Sequence, residues 1–94
     1  MDTITTIKNI LAEKISASIV EIEDRSDLHK HHQGRMNSQV GSGHYDAIVV
    51  SESFAGKTMM QQHRMVYAAL ADQMQTTIHA LALKTYTPEQ WQQL

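Results

Sequence analysis

Within the first 23 residues the apolar side chains change their spacing, and this restricts the fold more than any other feature of the chain. In "TITTIKNILAEKI", Ile4, Ile7, Ile10, Leu11 and Ile15 recur three and four residues apart. That is one face of an α-helix, with Lys8, Glu13 and Lys14 on the wet side. In "SIVEIE", Val20 and Ile22 instead alternate with Glu21 and Glu23, the pattern of a half-buried strand. A chain that runs both periods in succession is expected to lay a helix on a sheet.

Residues 24–43, "DRSDLHKHHQGRMNSQVGSG", follow neither period and hold three of the four glycines, so they read as one long loop. Loops of that length in compact domains often carry function. "HYDAIVVSE" reads as a second strand with Tyr45, Ala47 and Val49 on one side, and "SFAG" turns the chain. A second helix is predicted from about Thr58 to Met74, opened by the capping-box pair Thr58 and Gln61. "TTIHALAL" is the third strand. "TPEQWQQL" is a short terminal helix with Pro88 in its first turn and Trp91 as its anchor.

The order α-β-β-α-β-α over a single domain, residues 1–94, predicts a two-layer α+β fold. It has a three-stranded sheet and both long helices on one face. The helix between the second and third strands allows a parallel pair, and the long loop allows an antiparallel one.

Composition removes several function classes. A chain of 94 residues holds one core. A formal charge of −2 gives no general attraction to nucleic acid or to an anionic membrane. The absence of cysteine excludes a disulfide scaffold, a thiol nucleophile and any thiolate-held metal site made by this chain alone. No stretch is apolar enough to span a bilayer, and "MDTITTIKNI" lacks a signal peptide's basic start and apolar block, so a cytoplasmic protein without a membrane role is expected. Ser26, Ser51 and Ser53 have no nucleophile context, no carboxylate pair is spaced for acid–base work, and so small a domain has little room for a closed pocket. Neither an enzyme nor a small-molecule substrate is expected.

Histidine is the residue type left to carry chemistry. There are six, three of them in "HKHH" (His29, His31 and His32). Imidazole is the commonest side-chain metal ligand. His63 falls, at helical spacing, among Met59, Val66, Tyr67, Leu70 and Met74, near the middle of the apolar stripe of the second helix. That position suits either a hydrogen-bonded core histidine or a ligand at the rim. Near a helix start the dipole disfavours an imidazolium and so favours the neutral ring that binds metal. His44, opening the second strand, and His79, within the third beside Leu81 and Leu83, fit structural hydrogen bonding better. Met59, Met60, Met65 and Met74 fit core or surface positions better than a metal box.

Taken together, Phe54 and Gly56 in the turn, "HRMVY" around His63, the "HALAL" strand, the "TPEQW" ending and "DRSDLH" with Asp24, Ser26 and His29 make the whole chain resemble the BolA family. The resemblance implies a class II KH-like fold and a non-enzymatic partner of monothiol glutaredoxins. In such heterodimers a [2Fe–2S] cluster is shared, the glutaredoxin and a bound glutathione supplying thiolates, and no cluster is expected in the isolated chain. The family's helix histidine maps to His63. Its loop ligand maps to His29, with His31 and His32 beside it and His32 the stronger competitor. Many members carry arginine before the helix histidine, where this chain has Gln62, which would remove one cation from a phosphate- or glutathione-facing surface.

Two other functions remain open. The KH-like fold suggests a DNA-binding transcriptional regulator, using Lys57 and Arg64 on the second helix, Lys30 and Arg35 in the loop, and Lys84 at the end of the third strand. However, no G-x-x-G backbone clamp occurs, and these cations are sparse. A zinc or copper site in "HKHH", with or without His63, is the third reading.

Overall fold

The computed structural model describes residues 2–25 and 43–94. The elements are α1 (Thr3–Lys14), β1 (Ala17–Asp24), β2 (His44–Ser51), α2 (Met59–Ala69), α3 (Ala71–Thr76), β3 (Ala80–Tyr86) and α4 (Pro88–Gln92), with one 3-10 turn at Glu52–Phe54. Helix α1 starts on the Asp2 carboxylate, which accepts from the Thr5 backbone N–H at 2.7 Å. Its predicted stripe is the buried one, with Ile7 and Leu11 fully enclosed. The chain then reverses through Ser16, which adopts a left-handed φ of 55°.

The sheet order is β1-β2-β3, and both pairing expectations hold at once. The long connection joins β1 and β2 as an antiparallel pair, with Ile22 opposite Ala47 and Val20 opposite Val49. The helical crossover makes β2 and β3 parallel, with Tyr45 opposite Leu81 and Ala47 opposite Leu83. By the strand period these side chains share one face. There they form a single core with Ile7 and Leu11 of α1, Val66 and Leu70 around α2, and Phe54. Both long helices therefore lie on one side of the sheet. Ser51 is fully buried, its hydroxyl donating to the Ile15 carbonyl and accepting from the Ser53 N–H, so it is a structural serine.

The short terminal helix uses the other face. Val50 and Tyr86 point opposite to Val49 and Thr85, and Trp91 of α4 lies against the Tyr86 ring at 5.5 Å. Pro88 holds the first position of α4 as predicted. Thr87 and Gln90 form a second capping box that the sequence reading missed.

Two boundaries differ from expectation. The second helix ends at Ala69 rather than Met74, because Leu70 leaves helical geometry (φ −102°, ψ 19°) before α3 begins. Neither glycine nor proline marks this break, and the apolar spacing Val66–Leu70–Met74 runs straight across it. The third strand starts at Ala80, four residues later than "TTIHALAL" suggests. Thr76 still belongs to α3, Ile78 N–H returns to the Gln73 carbonyl, and His79 and Ala80 N–H both bond the Gly43 carbonyl. Gly43 has a φ of 94°, and a Cβ there would sit 2.8 Å from the Thr77 oxygen, so only glycine fits this junction.

Candidate metal-ligand site on helix α2

Helix α2 begins where expected. The Thr58 hydroxyl accepts from Gln61 N–H at 3.1 Å, and the Gln61 side chain accepts from Thr58 N–H at 2.9 Å, two reciprocal bonds that fix the first turn. The inward-facing residues are not those the apolar stripe indicates. Gln62, 8% exposed, lines the inner side with Val66, while His63 is only half-buried. Two residues placed with His63 on the inner stripe are exposed: Met59 at 66% and Tyr67 at 37%. The true inner side is rotated by one residue, and His63 sits on the flank of α2 rather than at its centre.

The cause is a polar side chain that behaves as core. Gln62 Nε2 donates to the Lys57 carbonyl at 2.9 Å and to the Phe54 carbonyl at 3.3 Å. Its Oε1 accepts from the Thr85 hydroxyl at 2.6 Å. Both amide hydrogens and the amide oxygen are used, so burial leaves none of them unpaired. One side chain thus ties the turn before α2 to β3. This corrects the expectation that Gln62 removes a cation from a partner-facing surface, because the position faces inward.

On the outer flank, the His63 side chain makes no hydrogen bond to any other described residue. Its exposed neighbours are Met59, 66% exposed, Met60, 64% exposed, and Arg64, with Lys57 just before the helix. Tyr67 continues the flank and donates its hydroxyl to the Leu81 carbonyl at 2.9 Å, fastening α2 to β3. The three expected surface cations do not form one patch. Lys57 and Arg64 are on α2, whereas Lys84 lies on the opposite face of the sheet in a shallow groove with Glu21, Glu23 and Asp46. Arg25 is paired with Glu23 at 3.1 Å and Asp46 at 3.7 Å.

His29, His31, His32, Lys30 and Arg35, which carry the loop-ligand expectation and two of the expected cations, lie outside the described residues. Among the described residues no three His, Cys, Asp or Glu side chains come together as a metal cage. His44 and His79 instead stack on each other, with ring centroids 5.3 Å apart and planes at 30°, and His79 precedes β3 rather than lying within it. What helix α2 offers is one half-exposed imidazole, that of His63. Its donor chemistry fits a cluster completed by other molecules' thiolates, as the fourth or third ligand and never as the whole set.

The comparisons agree with this architecture. The model of the BolA-like protein family matches residues 11–90. The chain is 37% identical over 93 residues to the DNA-binding transcriptional regulator BolA of Escherichia coli K12, covering 94% of this chain and 82% of that protein. It resembles the solved structure of BolA1 from Arabidopsis thaliana with a TM-score of 0.79 and 27% identity, covering 95% of each chain. It also resembles a BolA homologue from Coxiella burnetii, with a TM-score of 0.68, 34% identity, and coverage of 98% of this chain and 99% of that one. The chain belongs to the BolA-like family. Among the described residues no helix is long and apolar enough to cross a membrane.

Proposed function

We propose that this chain is a non-enzymatic, cytoplasmic partner of a monothiol glutaredoxin, with which it shares a [2Fe–2S] cluster in iron–sulfur trafficking or iron and redox regulation. His63 supplies one ligand and a loop histidine, His29 or alternatively His32, supplies the second. The observation that carries the reading is His63 itself. It is a half-exposed imidazole without a described hydrogen-bond partner, flanked by exposed apolar side chains, in a chain that has no cysteine. Thiolates for such a cluster must come from other molecules, and the family resemblance implies the glutaredoxin and glutathione as their source.

The roles of this chain's residues follow from the geometry. The capping box and Gln62 hold the start of α2 still, so the ring of His63 is presented from a fixed helix. Met59 and Met60 offer apolar area to a partner, and Lys57 and Arg64 offer charge at its rim. Two neutral imidazoles in place of two thiolates make a bound cluster less negative and raise its reduction potential. Acid would compete with iron for the ring nitrogens, so histidine ligation would make retention of such a cluster weaken as pH falls.

The test is a mixing experiment with a monothiol glutaredoxin that holds a glutathione-ligated cluster. The visible and circular-dichroism spectra change when this chain is added, and His63→Ala abolishes the change. Separate His29→Ala and His32→Ala chains identify the loop ligand, and an effect from neither removes the loop assignment. The second reading, a DNA-binding regulator, draws on the name of the Escherichia coli relative and on Lys57 and Arg64. An unchanged spectrum together with steeply salt-dependent DNA binding favours it.

A further inference from the structure

Without cysteine, the side chains that peroxide oxidises most readily in this chain are the methionine thioethers. Four of them lie in the described residues, and they fall into two classes. Met65 and Met74 are partly buried against the core, whereas Met59 and Met60 are 66% and 64% exposed. The exposed pair occupies the first turn of α2, four and three residues before His63. Side chains at those helical spacings are neighbours, roughly 5–6 Å apart at Cβ. A protein that shares a metal centre with His63 therefore approaches the helix beside both thioethers. An oxidant that reaches the free chain meets them uncovered.

We propose that Met59 and Met60 form a reversible oxidation site that weakens docking of the protein partner at His63, an inference that rests on the partner reading given above. The oxidant is a peroxide. One peroxide oxygen is transferred to the thioether sulfur, an S–O bond forms as the O–O bond breaks, the sulfur loses two electrons and the peroxide leaves as water. The sulfoxide is polar, and its oxygen has to be desolvated beneath the partner where an apolar thioether was buried before. A dithiol reductase reverses the step, taking the oxygen away as water while its thiols become a disulfide. The partly buried Met65 and Met74 are held back from the same reaction by the core.

In the test, the chain alone is treated with hydrogen peroxide, the peroxide is removed, and oxidised positions are mapped by mass spectrometry. The chain is then titrated against the cluster-loaded glutaredoxin. Met59 and Met60 are expected to oxidise at least about fivefold faster than Met65 and Met74. Affinity is expected to fall about tenfold, as for loss of an apolar anchor, and to return after treatment with a methionine sulfoxide reductase. A Met59→Leu/Met60→Leu chain is expected to lose no affinity on peroxide treatment, relative to its own untreated value. Sulfoxide at both positions with unchanged affinity overturns the inference and leaves the partner reading intact. The same loss in the double-leucine chain also overturns it. If the untreated chain does not bind the glutaredoxin at all, both fall together.

Discussion

The inner and outer sides of α2 meet at two consecutive residues and follow opposite rules. On the inner side Gln62 is buried, with its whole amide hydrogen-bonded to Phe54, Lys57 and Thr85. On the outer side the His63 side chain is half-exposed and makes no hydrogen bond to any other described residue, between the exposed Met60 and Arg64. The amide that serves the fold has its hydrogen-bonding capacity filled by it, whereas the imidazole on the outer side has no partner among the described residues. Identity alone does not separate the two cases, since both are polar side chains on an amphipathic helix. The hydrogen-bond partners do.

This contrast gives its largest prediction on the inner side. Gln62→Leu leaves the Phe54 and Lys57 carbonyls and the Thr85 hydroxyl without their partner, and is expected to lower stability by about 2 kcal/mol in urea unfolding. A loss under about 0.5 kcal/mol would show that the buried amide is not what holds the turn to β3. On the outer side, His63→Ala is expected to change stability by less than about 0.5 kcal/mol while removing the response to the glutaredoxin. A large loss of stability there would return His63 to the core and erase the comparison.

The smallest expected effect concerns how the two long helices start. Helix α2 is capped by the neutral Thr58, and α1 by Asp2, whose carboxyl is held below its usual range by hydrogen bonding from the Thr5 side chain and then from the Thr5 backbone N–H. A lowered carboxyl value in the folded chain means stability that is present above the unfolded carboxylate value of about 3.9 and lost as pH falls through the folded one. Asp2→Asn keeps an acceptor but cannot titrate. The stability difference between the two chains is therefore expected to shift as pH falls below about 4, and a constant difference across that range contradicts the cap's charge.

The sequence made much of the fold legible for identifiable reasons. Alternation in "SIVEIE" and in Tyr45–Ala47–Val49 marked two strands and their buried face, because a two-residue period has no competing interpretation over that length. Thr58 with Gln61, and Pro88, marked helix starts through local hydrogen bonding that needs no tertiary context. The side of α2 was not legible, because a buried glutamine reads as an outward residue until its three partners, drawn from the turn and from β3, are assembled. The break at Leu70 was hidden because the apolar spacing continues through it. His63 was identified as the candidate ligand, yet on the wrong part of the helix surface, and the exposure of Met59 and Met60 followed only once that surface was fixed.

Pulsed electron paramagnetic resonance of the reduced heterodimer tests the ligand role of His63 most directly. The chain is labelled with ¹⁵N-histidine and the glutaredoxin is left unlabelled. The account predicts strong nitrogen coupling to the cluster that originates in this chain, with one coupling lost in His63→Cys, where a thiolate takes the ring's place. Couplings that are absent, or that survive His63→Cys unchanged, contradict it.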